Sequence, residues 1–128
     1  MARPLSDEKR QARLDAAAEL VASLGTGAST AKIARASGVS EGTLFIYFPT
    51  KDDLLNQLFV AIETDLTETM LAPYPADVSD RERLCMVWNR LIDWGLAHAT
   101  ARKALRQLKV SGRVTAESRN RCHAMQRD

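Results

Sequence analysis

Apolar residues recur every third or fourth position along most of the chain, and the breaks between these stripes mark out helices. Leu14, Ala17, Ala18, Val21 and Leu24 form the first stripe, so the spacing predicts a helix that stops at Gly25. Ser6 followed by Asp7 and Glu8 suits its start, because acids favour the positive end of a helix dipole. Residues 1–7 read as a mobile arm. A short second helix carries Ile33 and Ala34 inward, is capped by Ser29 or Thr30, and closes at Ala36-Ser37-Gly38. Ser40 caps a third, with Glu41 in its first turn and Val39, Leu44 and Phe48 facing one core. Pro49 limits that helix.

Thr50 caps a fourth helix, with Asp52 and Asp53 in its first turn. Its stripe is Leu54, Leu55, Leu58, Ala61, Ile62 and Leu66, and it runs to about Met70. Pro73-Tyr74-Pro75 then breaks the chain. Asp80 caps a long helix whose Leu84, Val87, Trp88, Leu91, Ile92, Gly95, Leu96 and Ala99 make a wide apolar face. A further helix over about 101–110 rests on Ala101, Ala104, Leu105 and Leu108 and ends at Ser111-Gly112. Thr115 opens a last one, with Cys122 and Met125 on one side. A strand through Thr43–Phe48 suits β-propensity, but period two fails in the flanking segments. The expected fold class is therefore all-α.

Within this pattern, the two short helices joined through Ala-Ser-Gly-Val-Ser fit a helix-turn-helix. Ala34 lets the helices cross closely, Gly38 frees the turn, and Val39 with Leu44 sets the crossing angle. The outer face of the second of the pair is then free for a major groove.

Composition changes this picture little, but charge distribution adds to it. The formal net charge of the 128 residues is only +2. Residues 1–60 hold seven basic and seven acidic side chains, 61–100 three and seven, and 101–128 eight and two. The basic segment is thus the C-terminal one. Arg102, Arg106, Lys109 and Arg113 make a basic stripe that can hold an anion, pair with acids from 63–82, touch nucleic acid or stay solvated. Cys85 and Cys122 stand alone, without zinc or disulfide spacing, and fit a reducing compartment. No apolar run is long enough to span a membrane, and the first residues lack a signal-peptide core, so a cytoplasmic location is expected. No Ser-His-Asp set, metal cluster or phosphate-binding glycine loop is present, so neither enzyme activity nor a cofactor is expected.

The stretches LDAAAELVASLG and STAKIARASGVSEGTLFIYFPTKDDLL, from Leu14 to about Leu58, resemble the N-terminal DNA-binding domain of the TetR (tetracycline-repressor-like) family. The resemblance lies in the Ala-rich helix ending at glycine, the GVS.GTL..YF core, and the lysine opening the fourth helix. It implies a homodimeric repressor that binds a palindromic double-stranded DNA operator and releases it when a small-molecule effector enters the C-terminal lobe. The corresponding expected division is a helix-turn-helix domain over 1–50, a connecting helix over 51–72, and a partial effector and dimerisation lobe over 73–128. Phe45 departs from the family's usual tyrosine, Pro49 from its usual polar residue, and the chain is shorter than typical members. The length leaves two expectations: a truncated chain, or assembly through other surfaces.

The candidate DNA-binding residues are Thr30, Ser40, Glu41, Gly42, Thr43, Phe45, Ile46, Tyr47 and Lys51. Thr30, at a helix start, can hold a phosphate. Gly42 permits close approach, Thr43 can meet a base edge or phosphate, and Glu41 can accept from cytosine or simply start the helix. Ile46 is an exposed apolar side chain unless a thymine methyl covers it. Phe45 can pack against sugar or protein. On the resemblance, Tyr47 and Lys51 contact phosphates. Arg3, Lys9, Arg10 and Arg13 can add non-specific attraction. By the same resemblance, Met86, Leu91, Trp94 and His98 fall where an effector pocket is lined. The rival expectation is a helical interaction module that no longer binds DNA specifically, favoured if the long helix leaves an apolar face uncovered.

Overall fold

The structure is a computed structural model, and it describes residues 7–127. The expectations for Ser6 as a helix start, for Arg3 and for residues 1–6 of the arm lie outside the described residues, whereas Asp7, expected in the arm, is already in the first helix. Seven helices make up the described chain: α1 Asp7–Leu24, α2 Thr30–Ala36, α3 Glu41–Tyr47, α4 Lys51–Leu71, α5 Asp80–Ala97, α6 Ala99–Ser111 and α7 Ala116–Arg127. The fold is all-α, with a helix-turn-helix at its N-terminal end and a helical C-terminal lobe.

Local chemistry sets the helix starts. Ser29, Ser40, Thr50 and Ser79 each sit in extended backbone and accept a hydrogen bond from the amide three residues on. Ser79 therefore caps α5, and Asp80 is its first residue, where its charge suits the dipole. Thr115 caps α7 in the same way, its hydroxyl accepting from the Ser118 amide at 3.1 Å.

The turn between α2 and α3 is closed by two backbone bonds. The Val39 amide donates to the Ala34 carbonyl and the Gly38 amide to the Arg35 carbonyl, both at 3.0 Å. This paired pattern requires a left-handed residue, and Gly38 supplies it at φ +75°.

One core joins both ends of the chain. Leu14 and Val21 of α1, Ile33 of α2, Leu44 of α3 with its C-cap Phe48, Leu54, Leu55 and Leu58 of α4, and Leu108 of α6 are fully buried. Helix α6 packs most extensively on α1, and α7 on α4, so the C-terminal helices fold back over the N-terminal ones. Leu24 is 53% exposed, against the expectation that it closes the α1 stripe; it is the last residue of the helix and overhangs the packed region. Phe59 joins the core of α4, whereas Ala61 and Leu66 only border it.

Helix α5 departs furthest from expectation. Leu84, Trp88, Leu91, Ile92 and Leu96 are all exposed, and Trp94, which lies off that stripe, is the residue buried. The helix is held by α4 and more briefly by α6. Arg90 provides much of that hold: its guanidinium donates to the Ala72 and Pro73 carbonyls at 2.6 and 2.8 Å and stacks 3.7 Å from the Tyr74 ring centroid. The loop between α4 and α5 is thereby strapped to α5. No described helix is long and apolar enough to cross a membrane.

Candidate nucleic-acid interface

Helix α3 has two unlike sides. Leu44 is 1% exposed and anchors the inner side, and Phe48 behind it is fully buried. On the outer side Ile46 is 63% exposed and Phe45 is exposed too. Large apolar side chains left in water on a helix this short are unfavourable unless another surface covers them. Ser40, Glu41 and Gly42 are exposed and Thr43 half-buried at the start of the same face. A Cβ placed on Gly42 would approach only the Ser40 hydroxyl, at 3.8 Å, so nothing inside the protein demands a glycine there. Close approach from outside is what the missing side chain permits.

The polar groups at this end are partly committed to one another. The Ser40 hydroxyl donates to Thr43 Oγ1 at 3.1 Å and accepts from the Thr43 amide. The Thr30 hydroxyl donates to Glu41 Oε2 at 2.8 Å, joining the first turns of α2 and α3. This bond spends the one hydroxyl proton of Thr30, so a phosphate at this helix start would be met by backbone N–H groups. It also draws the Glu41 carboxylate toward protein, which lessens the repulsion that an acid on this face would exert on phosphate. Neither partner's sequence neighbourhood signals this pairing.

Tyr47 is half-buried. Its ring lies 4.9 Å from the Arg13 guanidinium, and its hydroxyl makes no hydrogen bond within the described residues. Arg13 itself is buried, with one guanidinium nitrogen donating to the Lys9 carbonyl at 3.1 Å. Arg10 hydrogen-bonds Gln57 and lies over the Phe48 ring at 5.8 Å. Arg10 and Arg13 thus brace α3 and α4 from α1, a role their positions on a polar-looking helix face did not announce; the expectation that they supply free surface charge is corrected for Arg13, which burial withdraws from solvent.

Lys51 opens α4 beside this face. Its ammonium makes no ion pair among the described residues. Burial lowers its pKa from the usual lysine value, nearby Arg113 lowers it further, and Asp52 opposes them. An anion at this position would relieve both unfavourable influences.

The four residues expected to line an effector pocket lie on α5 and at its C-terminal end, in unlike environments. Trp94 is buried and donates its indole N–H to Asp65 Oδ2 at 2.9 Å. His98 stacks on that indole at 5.0 Å between centroids, with its Nε2 3.8 Å from the same carboxylate. Leu91 is exposed and Met86 half-buried. An open cleft of about 710 Å³ lies elsewhere, between α1, α4 and α7. In the basic stripe, Lys109 pairs at 3.3 Å with Glu63, which is buried, and Arg113 pairs at 3.3 Å with Asp52. Arg102 donates to the Gly95 carbonyl instead.

Comparison with known proteins agrees with this geometry. Residues 14–58 match the family described as bacterial regulatory proteins, tetR family. The chain is similar to a fatty acid metabolism regulator protein of Bacillus subtilis (strain 168), 35% identical over 75 residues, which are 58% of this chain and 39% of that protein. Its structure is similar to that of a TetR family transcription regulator from Marinobacter aquaeolei VT8, with a TM-score of 0.84 and 30% identity over 94% of this chain and 63% of the other. It is also similar to a putative tetR family transcription regulator from Shewanella sp. PV-4, with a TM-score of 0.81 and 31% identity over 91% of this chain and 63% of the other. The chain spans less than two thirds of the length of each of these relatives. Residues 14–58 are thus similar to the tetR family of bacterial regulatory proteins, and the fold as a whole is similar to that of TetR family transcription regulators.

Proposed function

We propose that this chain binds double-stranded DNA and regulates transcription, as a cytoplasmic homodimeric repressor released from a palindromic operator by a small-molecule effector. Residues 1–50 act as the reading head, 51–72 as the connecting helix and 73–128 as part of the effector and dimerisation lobe. The observation that carries the reading is the outer side of α3: Ile46 stands 63% exposed, opposite a locked Leu44, and Lys51, which opens the next helix, has no ion pair among the described residues. Ile46 meets a thymine methyl, Ser40, Gly42 and Thr43 approach the groove, and Tyr47, Lys51 and Thr30 take phosphates. Phe45 packs against the sugar-phosphate backbone. Because residues 1–60 carry no net charge, one subunit neutralises few phosphates, and two subunits on two half-sites supply the missing affinity.

The exposed apolar side of α5 favours a second reading, a helical interaction module without specific DNA binding. Binding to duplex DNA from beside the chain's own gene, compared with a scrambled duplex across a salt series, separates the two. Specific binding with two protomers per site supports the regulator. Equal, weak binding to both duplexes that vanishes at moderate salt supports the module.

A further inference from the structure

The turn between α6 and α7 is fastened to the first turns of α4 by one side chain. Asn56 donates from Nδ2 to the Asp52 carbonyl at 2.8 Å and to the Arg113 carbonyl at 3.1 Å. Its Oδ1 accepts from the Thr115 amide at 2.8 Å and from the Ser118 hydroxyl at 3.0 Å. Three of these four bonds draw residues 113–118 against α4, and the fourth, to the Asp52 carbonyl, fixes the amide on its own helix. They deliver the Arg113 guanidinium to Asp52, with Nη1 3.3 Å from Oδ1. Asp52 follows Lys51 directly and is largely exposed, so its carboxylate stands where it would repel a phosphate approaching that lysine.

We propose that Arg113 is a positioning residue for DNA binding, cancelling the Asp52 charge beside Lys51 so that the start of α4 accepts a phosphate. The inference rests on the DNA-binding reading above and adds to it a residue far outside the helix-turn-helix. Only one of the guanidinium's five N–H donors is engaged with Asp52, and the side chain is 44% exposed, so the group keeps its charge at the surface. The depressed Lys51 pKa, to which Arg113 contributes, agrees with the two cations sharing one field. Because Asn56 holds the backbone carbonyl at 113 and not its side chain, replacing Arg113 leaves the fastening of the turn in place.

The test is a double-mutant cycle on the full chain, read as affinity for random-sequence duplex DNA at low salt, with thermal melting alongside. Arg113→Ala is expected to weaken binding about two- to five-fold, the scale of an exposed charge pair, and Arg113→Lys to restore it. Asp52→Asn is expected to bind at least as tightly as the native chain. In the Asp52→Asn background, Arg113→Ala should have a clearly smaller effect, because no carboxylate remains to be cancelled. Equal effects of Arg113→Ala in both backgrounds overturn the inference, as does failure of Arg113→Lys to restore binding. Binding that depends on Lys51 but ignores Arg113 overturns this inference alone. Absence of native-chain binding to any duplex removes the DNA-binding reading and this one with it.

Discussion

At the scale of single residues, the environment of each side chain separates pairs that look alike in sequence. Cys85 is exposed, whereas Cys122 is buried and its thiol is pushed up by burial and by Glu63. The account predicts that one thiol reacts promptly with a thiol reagent in the native chain and the second only on unfolding, with Cys85→Ser abolishing the fast phase. Mass spectrometry of the labelled peptides reads this out. Lys51 offers a prediction with a sign. Its folded-state pKa is lowered, so the charged lysine detracts from folding while it stays protonated, and this penalty is relieved as pH rises from the folded value to the unfolded one. A phosphate reverses the shift, so DNA binding takes up a proton in that window. Affinity should begin to fall below the usual lysine range as pH rises, and Lys51→Arg should remove that dependence. Ile46 and Leu44 differ in the same way: Ile46→Ala should leave thermal stability within about 0.5 kcal/mol, while Leu44→Ala should lower it by about 2–5 kcal/mol.

At the scale of elements, the turn at Gly38 is the sharpest joint in the reading head. Its φ of +75° is where a Cβ is strained, although open space surrounds it. Gly38→Ala is therefore expected to cost about 1–2 kcal/mol through backbone strain alone, measurable as a fall in the denaturation midpoint. This joint was legible in the sequence, because Ala-Ser-Gly-Val-Ser demands a left-handed turn between two helices. The caps at Ser40 and Thr50 and the inward set Ile33, Leu44 and Phe48 were legible for similar reasons: local chemistry decides them. Pairing across elements was legible only in outline: acids from 63–82 were among the expected partners of the basic stripe, and Lys109 does pair with Glu63. Nothing local to Thr30 points to Glu41, nothing near Arg13 points to Tyr47, and Arg113 meets Asp52 only because Asn56 folds a distant turn onto α4. The α5 stripe shows the same limit from the other side. Its apolar periodicity is real, yet periodicity tells only that a face is apolar, and the residue the fold buries is Trp94.

At the scale of the whole molecule, the C-terminal helices and the reading head share one core through α1 and α4, while the apolar side of α5 stays outside it. The two tryptophans report on these regions separately. Trp88 is 63% exposed and Trp94 5% exposed. Acrylamide should quench Trp88 readily and Trp94 poorly in dilute solution, with Trp88→Phe leaving only the shielded emission. If copies of the chain associate through α5, quenching of Trp88 should fall as protein concentration rises.

The central claim is that duplex DNA meets the outer side of α3 and the start of α4. It is tested most directly by mapping backbone amide shifts in the isotope-labelled chain as duplex DNA is added. The account predicts that the perturbed amides cluster at residues 29–30, 40–47 and 50–52, with α5 unchanged. Perturbations confined to α5, or none at DNA concentrations that saturate other helix-turn-helix proteins, would contradict it.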